Sequence, residues 1–148
     1  MSDQNELLAG LDALISGVPH LISNLSNASA YIMNSFDDIS WAGFYILEDG
    51  VLVLGPFQGK PACIEIKPGR GVCGAAAASG QTQVVYNVHE FPGHIACDPD
   101  SRSEIVVPLY KDGLIYGVLD IDSKTVGRFG DEEKTIFEAI AKIIEKTL

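Results

Sequence analysis

The periodicity of this 148-residue chain predicts an α+β fold, a sheet covered on one face by long helices. Three observations carry that expectation. Apolar residues recur at helical spacing near both ends of the chain, they alternate with period two through much of the middle, and two Asp-Gly pairs, Asp49-Gly50 and Asp112-Gly113, turn alternating stretches back as hairpins. No repeat, low-complexity tract or linker breaks this order, so residues 1-148 read as a single domain, with the sheet face away from the helices left for a ligand.

Leu7, Leu8, Leu11, Leu14 and Ile15 define the first helix, which Gly17 and Pro19 stop. A second follows, with Leu21, Ile22, Leu25, Ala28 and Ile32 on one side and Ser23, Asn24, Ser26 and Asn27 largely on the other; both are expected on the sheet. From Ile39 the period becomes two: Trp41, Gly43, Tyr45 and Leu47 share one face of a strand, while Ser40, Ala42, Phe44 and Ile46 share the other. The turn at Asp49-Gly50 leads into a partner strand, Val51 to Phe57.

A short strand is expected over residues 62–67, with Ile64 and Ile66 facing one way and Cys63, Glu65 and Lys67 the polar way. The glycine-rich run from Pro68 to Gly80 opens a short helix whose alanines allow close packing, and Cys73 falls near its start. A strand over residues 82–86 enters a loop from Asn87 to Arg102, long enough to suggest function. Strands 103–111 and 114–122 then pair through Asp112-Gly113. The closing helix, residues 131–148, has an acidic first turn and an apolar stripe of Ile136, Phe137, Ile140, Ile143 and Ile144.

Charge narrows the partners. Ten basic against twenty acidic residues give a net charge of −10, which disfavours nucleic acid and anionic membrane. The N-terminus lacks the pattern of a signal peptide and no apolar run reaches the ~20 residues of a membrane helix, so a cytoplasmic protein is expected. Three cysteines in such a chain point to reactive, metal-binding or buried thiols rather than a disulfide framework.

The chemistry concentrates in two places. Cys97 sits in a polar loop, Cys97-Asp98-Pro99-Asp100-Ser101-Arg102, that ends in the strand carrying Glu104. Leu119 and Ile121 alternate with Asp120 and Asp122 on the neighbouring strand, so three carboxylates crowd one small area, and at least one should bind its proton more tightly than usual. On this feature alone an exposed strand end fits equally well. Trp41 and Tyr45 form an aromatic wall, in the core or opposite the acids, where it would suit a ligand with a small apolar end and a cationic end, such as an amino acid. Cys73 by default is a small buried hydrophobe. The acids around Cys97 raise its pKa while His94 and Arg102 lower it, leaving its thiolate fraction open. A metal site from Cys63, Cys73, His94 and Cys97 ranks low, because the paired C-x-x-C spacing of a strong zinc site is absent. His89 is expected as a solvated loop residue and His20 at a helix start.

The segments Trp41-Ala42-Gly43-Phe44-Tyr45, Cys63, Gly71-Val72-Cys73-Gly74, Cys97 to Pro108 and Gly117 to Ser123 closely resemble the free methionine-(R)-sulfoxide reductases, small stand-alone GAF-domain enzymes. The resemblance spans nearly the whole chain and includes all three cysteines, both aromatics and all three acids. It implies a GAF-like six-stranded antiparallel sheet of order 3-2-1-6-5-4, a homodimer, and reduction of free methionine (R)-sulfoxide. It also implies that Cys97 is the catalytic thiol, Cys63 the resolving thiol and Cys73 an auxiliary one. Glu104, Asp120 and Asp122 would then bind the substrate ammonium and help protonate its oxygen, with Trp41 and Tyr45 beside its methyl group. Thiol chemistry of this kind needs an external dithiol such as thioredoxin and no metal, flavin or nucleotide. The alternative from another class is a GAF sensor that binds a small ligand or signals by cysteine oxidation without turnover.

Overall fold

In the computed structural model, residues 2–94 and 97–148 are described. The elements run α1 (Ser2–Ile15), α2 (Leu21–Ser35), β1 (Trp41–Glu48), β2 (Val51–Gln58), β3 (Glu65–Ile66), α3 (Gly71–Ser79), β4 (Gln83–Val85), a 3-10 turn (Val88–Glu90), β5 (Ser103–Lys111), β6 (Leu114–Ser123) and α4 (Asp131–Glu145). The six strands form one antiparallel sheet in the order β3-β2-β1-β6-β5-β4, as expected.

Both hairpin turns follow from their Asp-Gly pairs. Asp49 and Gly50 take φ of 50° and 80°, and Asp112 and Gly113 take 53° and 78°. Positive φ at both central residues gives the turn whose twist matches that of the flanking strands. The central strands β1, β5 and β6 are buried on both faces, so alternation sorts their side chains between two cores. Ala42, Phe44, Ile105, Val107, Leu109, Leu119 and Ile121 join the helices in one core. Trp41, Tyr45, Val106, Val118, Cys73 and Val88 join a smaller one on the opposite face, under α3.

The helical layer departs from expectation in two respects. α2 lies on β1 and β2 and α4 on β5, but α1 packs against α2 and α4, sending Leu11 and Ile15 into the core. The buried face of α2 is also rotated: Asn24 and Ser29 are buried, while Ile22 is exposed. Both polar residues are accommodated by carbonyls. Asn24 Nδ2 donates to Val18 O at 2.8 Å and Ser29 Oγ to Leu25 O at 2.8 Å, so neither leaves an unmatched donor. At the start of α4, Glu133 Oε1 accepts from the Gly130 amide at 2.8 Å and satisfies an otherwise orphaned end of the helix.

Candidate active site

The register between β5, β6 and β1 assembles the site. Glu104 stands opposite Asp122, Asp120 opposite Val106, and Trp41 opposite Asp122 on the other side of β6. Residues two apart on a strand share a face, so Glu104, Asp120, Asp122, Trp41 and Tyr45 all reach the face away from the long helices. They line one cavity with Cys73, His94, Cys97, Arg70 and Ser101. Trp41 and Tyr45 stack with ring centroids 6.0 Å apart, and Trp41 stacks on Phe57 at 5.1 Å. Gly59 permits this placement, since its φ of 133° suits glycine and a Cβ there would lie 2.6 Å from Trp41 Cδ1.

The carboxylates are not an exposed strand end. Glu104 and Asp120 are 8% and 5% exposed, and Asp122 Oδ1 is shut off from solvent although the residue as a whole is only half-buried. Burial, then the charges of Asp120 and Asp122, push the Glu104 carboxyl well above its ordinary range. Burial followed by the charge of Asp120 does the same to Asp122. Asp120 is also raised by burial, but hydrogen bonding from Glu104 and Cys73 opposes the rise, which makes it the readiest of the three to ionise. Burial and the same acids push the Cys73 thiol up, and Tyr45 is raised chiefly by burial. His94 is lowered by burial and by His89, which favours its neutral form.

Cys63 and Cys97 form a disulfide, with Cα atoms 5.4 Å apart. The strand expected around Cys63 shrinks to Glu65–Ile66, and Ile64 is 71% exposed rather than sharing a buried face with Ile66. Unpaired coil carries no alternation, so Cys63 is free to turn toward Cys97. Three contacts fasten this coil: Trp41 Nε1 donates to Lys60 O at 3.0 Å, the Tyr45 hydroxyl to Cys63 O at 3.0 Å, and Lys60 Nζ meets Asp100 across the gap at 2.9 Å. Cys73 is the free thiol and is buried at the start of α3, 3.9 Å from Glu104 Oε2. Gly74 lets that turn close, because a Cβ there would lie 2.6 Å from Lys67 O.

The four-residue metal set of Cys63, Cys73, His94 and Cys97 is ruled out in this state, since two of its thiols are bonded to each other. His89 is exposed as expected and meets Arg102 Nη1 at 3.0 Å; His20 caps the start of α2 by position, without a side-chain hydrogen bond. Two cavity residues lie in segments the sequence singled out but were not themselves marked as site residues. Ser101 is buried with a hydroxyl that has no partner among the described residues, and Arg70 sits at the N-terminus of α3. The glycine-rich turn signalled the helix start but not that it would open onto the acids.

A model of the GAF domain matches residues 15–148. The free methionine-R-sulfoxide reductase of Escherichia coli (strain K12) is 50% identical over 143 residues, 97% of this chain and 87% of that protein. The chain belongs to the free methionine-R-sulfoxide reductase family of GAF domains. The solved structure of the Staphylococcus aureus enzyme in complex with its substrate superposes with a TM-score of 0.93 at 52% identity, covering 98% of this chain and 95% of that one. The Neisseria meningitidis free methionine-R-sulfoxide reductase, also in complex with its substrate, gives 0.94 at 42% identity and covers 97% and 87%. The family's members are oxidoreductases acting on sulfur, and among the described residues here no helix is long and apolar enough to cross a membrane.

Proposed function

We propose that the protein reduces free methionine (R)-sulfoxide to methionine. The observation that carries this reading is the Cys63–Cys97 disulfide at a cavity that also holds three buried carboxyls and two stacked aromatic rings. Cys97 attacks the sulfoxide sulfur as a thiolate while a carboxyl, held protonated by burial at Glu104 or Asp122, gives its proton to the oxygen. The hydroxyl so formed passes from the substrate sulfur to Cys97 Sγ as the bond between the two sulfurs breaks; methionine departs with that bond's electron pair, and Cys97 is left as a sulfenic acid. The Cys63 thiol attacks that sulfur and releases water. The sum is one sulfoxide and two thiols converted to one sulfide, one disulfide and one water, so the bridged state is the end of the cycle.

The remaining roles rest on chemistry and, for Cys73 and the homodimer, on the family resemblance. Ionised Asp120, with its neighbours, receives the substrate's ammonium, which a residue inside a peptide lacks. Trp41 and Tyr45 supply an apolar wall for the S-methyl group. Tyr45 also ties the Cys63 carbonyl, and Cys73 is an auxiliary thiol. A dithiol of the thioredoxin class restores the two thiols in the cytoplasm, and the working form is a homodimer.

The test is to incubate the reduced protein with racemic free methionine sulfoxide and a dithiol. Methionine should form until half the racemate, the (R) epimer, is gone, with little action on a sulfoxide inside a peptide. Equal activity on free and peptide-bound sulfoxide would refute the reading. So would oxidation of Cys97 with no methionine formed, which would leave a thiol sensor.

A further inference from the structure

The two-cysteine cycle leaves the Cys73 thiol unused, and its surroundings describe a second kind of site. Its Sγ, one oxygen of Glu104 and one of Asp120 all lie within 4.8 Å of one another, and all three side chains are buried. Asp120 supplies a separate observation: its Oδ1 is enclosed without a hydrogen-bond partner among the described residues, though the residue is only 5% exposed. Buried carboxylate oxygens are rarely left so. The free space beside them is about 40 Å³, room for a few water-sized particles and too little for an amino acid. In the disulfide state, a small cation with its water fits this space.

We propose that Cys73, Glu104 and Asp120 form a binding site for a thiophilic divalent cation of the zinc class, with water as its fourth ligand. One sulfur and two carboxylate oxygens plus water make a four-coordinate donor set that suits zinc. The thiolate discriminates against calcium and magnesium, which require six or more hard oxygen ligands. Tetrahedral coordination with Zn–S of about 2.3 Å and Zn–O of about 2.0 Å places sulfur and oxygen ~3.5 Å apart. The 3.9 Å between Cys73 Sγ and Glu104 Oε2 therefore closes by a few tenths of an ångström, and separations of up to 4.8 Å within the trio close by rotation of the carboxylate side chains onto the ion. Binding releases the thiol proton and any proton held by the two carboxyls to solvent, and no oxidation state changes. The ion neutralises a crowd of acids that no lysine or arginine pairs with in the described structure.

Cobalt(II) is the probe. In the oxidised protein Cys63 and Cys97 are joined, so a thiolate-to-cobalt charge-transfer band in the near ultraviolet can come only from Cys73. The band should saturate at one cobalt per chain, disappear when zinc is added, and survive millimolar calcium or magnesium. Cys73→Ser should lack it, and Asp120→Asn, which keeps the thiol, should weaken cobalt binding at least tenfold. Absence of the band at millimolar cobalt overturns the site, as does a band that persists in Cys73→Ser. If Cys73→Ser does not fold, Asp120→Asn decides alone, and wild-type affinity there overturns the site. Metal binding is read without substrate, so its failure leaves the reductase reading standing.

Discussion

Phe44 and Tyr45 are neighbours in the chain and belong to opposite halves of the molecule. Phe44 points into the core shared with α2 and α4, where the buried side chains are aliphatic or phenyl apart from polar ones such as Asn24 and Ser29 that bond to carbonyls, and none of the three cavity acids is among them. Tyr45 points into the other core, whose cavity is lined by three carboxyls, a free thiol and a disulfide sulfur. One residue of offset on a strand thus separates the half that holds the fold together from the half that holds charge at a cost. The lesson is that the helix-covered core must stabilise what the cavity side destabilises. Burying crowded, unpaired acids is unfavourable, and stacked aliphatic burial on the reverse of the same strands offsets it.

The largest test of this division separates activity from stability. Cys97→Ser should lose sulfoxide reduction by at least ~10³-fold, first turnover included, because a neutral hydroxyl is a far weaker nucleophile than a partly ionised thiol. Its reduced-state melting temperature should stay within a few degrees of reduced wild type. Phe44→Ala should do the reverse, costing about 3–5 kcal/mol by urea denaturation while the folded fraction keeps its turnover. Loss of activity per folded molecule in Phe44→Ala would show that the two faces are coupled.

Within the cavity the same logic predicts opposite signs for function and folding. Glu104→Gln and Asp122→Asn should each lower kcat/KM by roughly 10²-fold or more, since the amide neither donates the proton nor answers the ammonium. Thermal stability should hold or rise, because each amide removes one of three crowded acids. A pair of amides with full activity would reduce the carboxyls to structural charges. Cys63→Ser probes the next step: about one methionine per subunit should form before turnover with a thioredoxin-type reductant stops, leaving an oxidised Cys97 for a sulfenic-acid probe to trap. Sustained cycling would move the resolving role to Cys73.

How much of this was legible depended on pairing. Where a strand is central, each residue must choose a face, so the alternation through Trp41–Leu47 and Leu119–Asp122 disclosed the cavity side, and the Asp-Gly pairs disclosed the hairpins. The same reasoning failed at Cys63, because only Glu65 and Ile66 pair there and an unpaired segment has no period to read. Ile64 looked like a core residue and is exposed; Asn24 was placed on the polar side of its helix and is buried, since its hydrogen bond to the Val18 carbonyl makes that burial inexpensive. Ser101 and Arg70 join the cavity through loop geometry, which composition does not encode. The crowding of the acids was readable, while the choice between solvent and burial was set by what α3 and the loop residues His94, Cys97, Asp98 and Ser101 place over them.

The smallest effect is a slope. The folded-state carboxyls of Glu104, Asp120 and Asp122 are all raised, so the native state holds protons that the unfolded chain gives up. Under proton linkage, stability then falls as pH rises wherever the native state binds more protons. Their stabilising contribution is complete below the unfolded carboxylate range near pH 4, and it is lost progressively as pH climbs through the raised folded values. Reduced protein should therefore unfold at a lower urea concentration at pH 8 than at pH 6, opposite to the trend that salt-bridged carboxylates produce. Disulfide-free samples are required, so that breakage of the Cys63–Cys97 bridge does not enter the comparison. Asp122→Asn should flatten the slope, because one raised acid is gone and the charge it imposes on Glu104 goes with it. Phe44→Ala should lower the whole curve and leave its slope alone, since none of the three raised acids lies on the face it weakens. A slope unchanged in Asp122→Asn, or one that rises from pH 6 to pH 8 in the wild type, would mean that the three acids meet a compensating charge in the folded protein and that the two faces are not divided as the strands divide them.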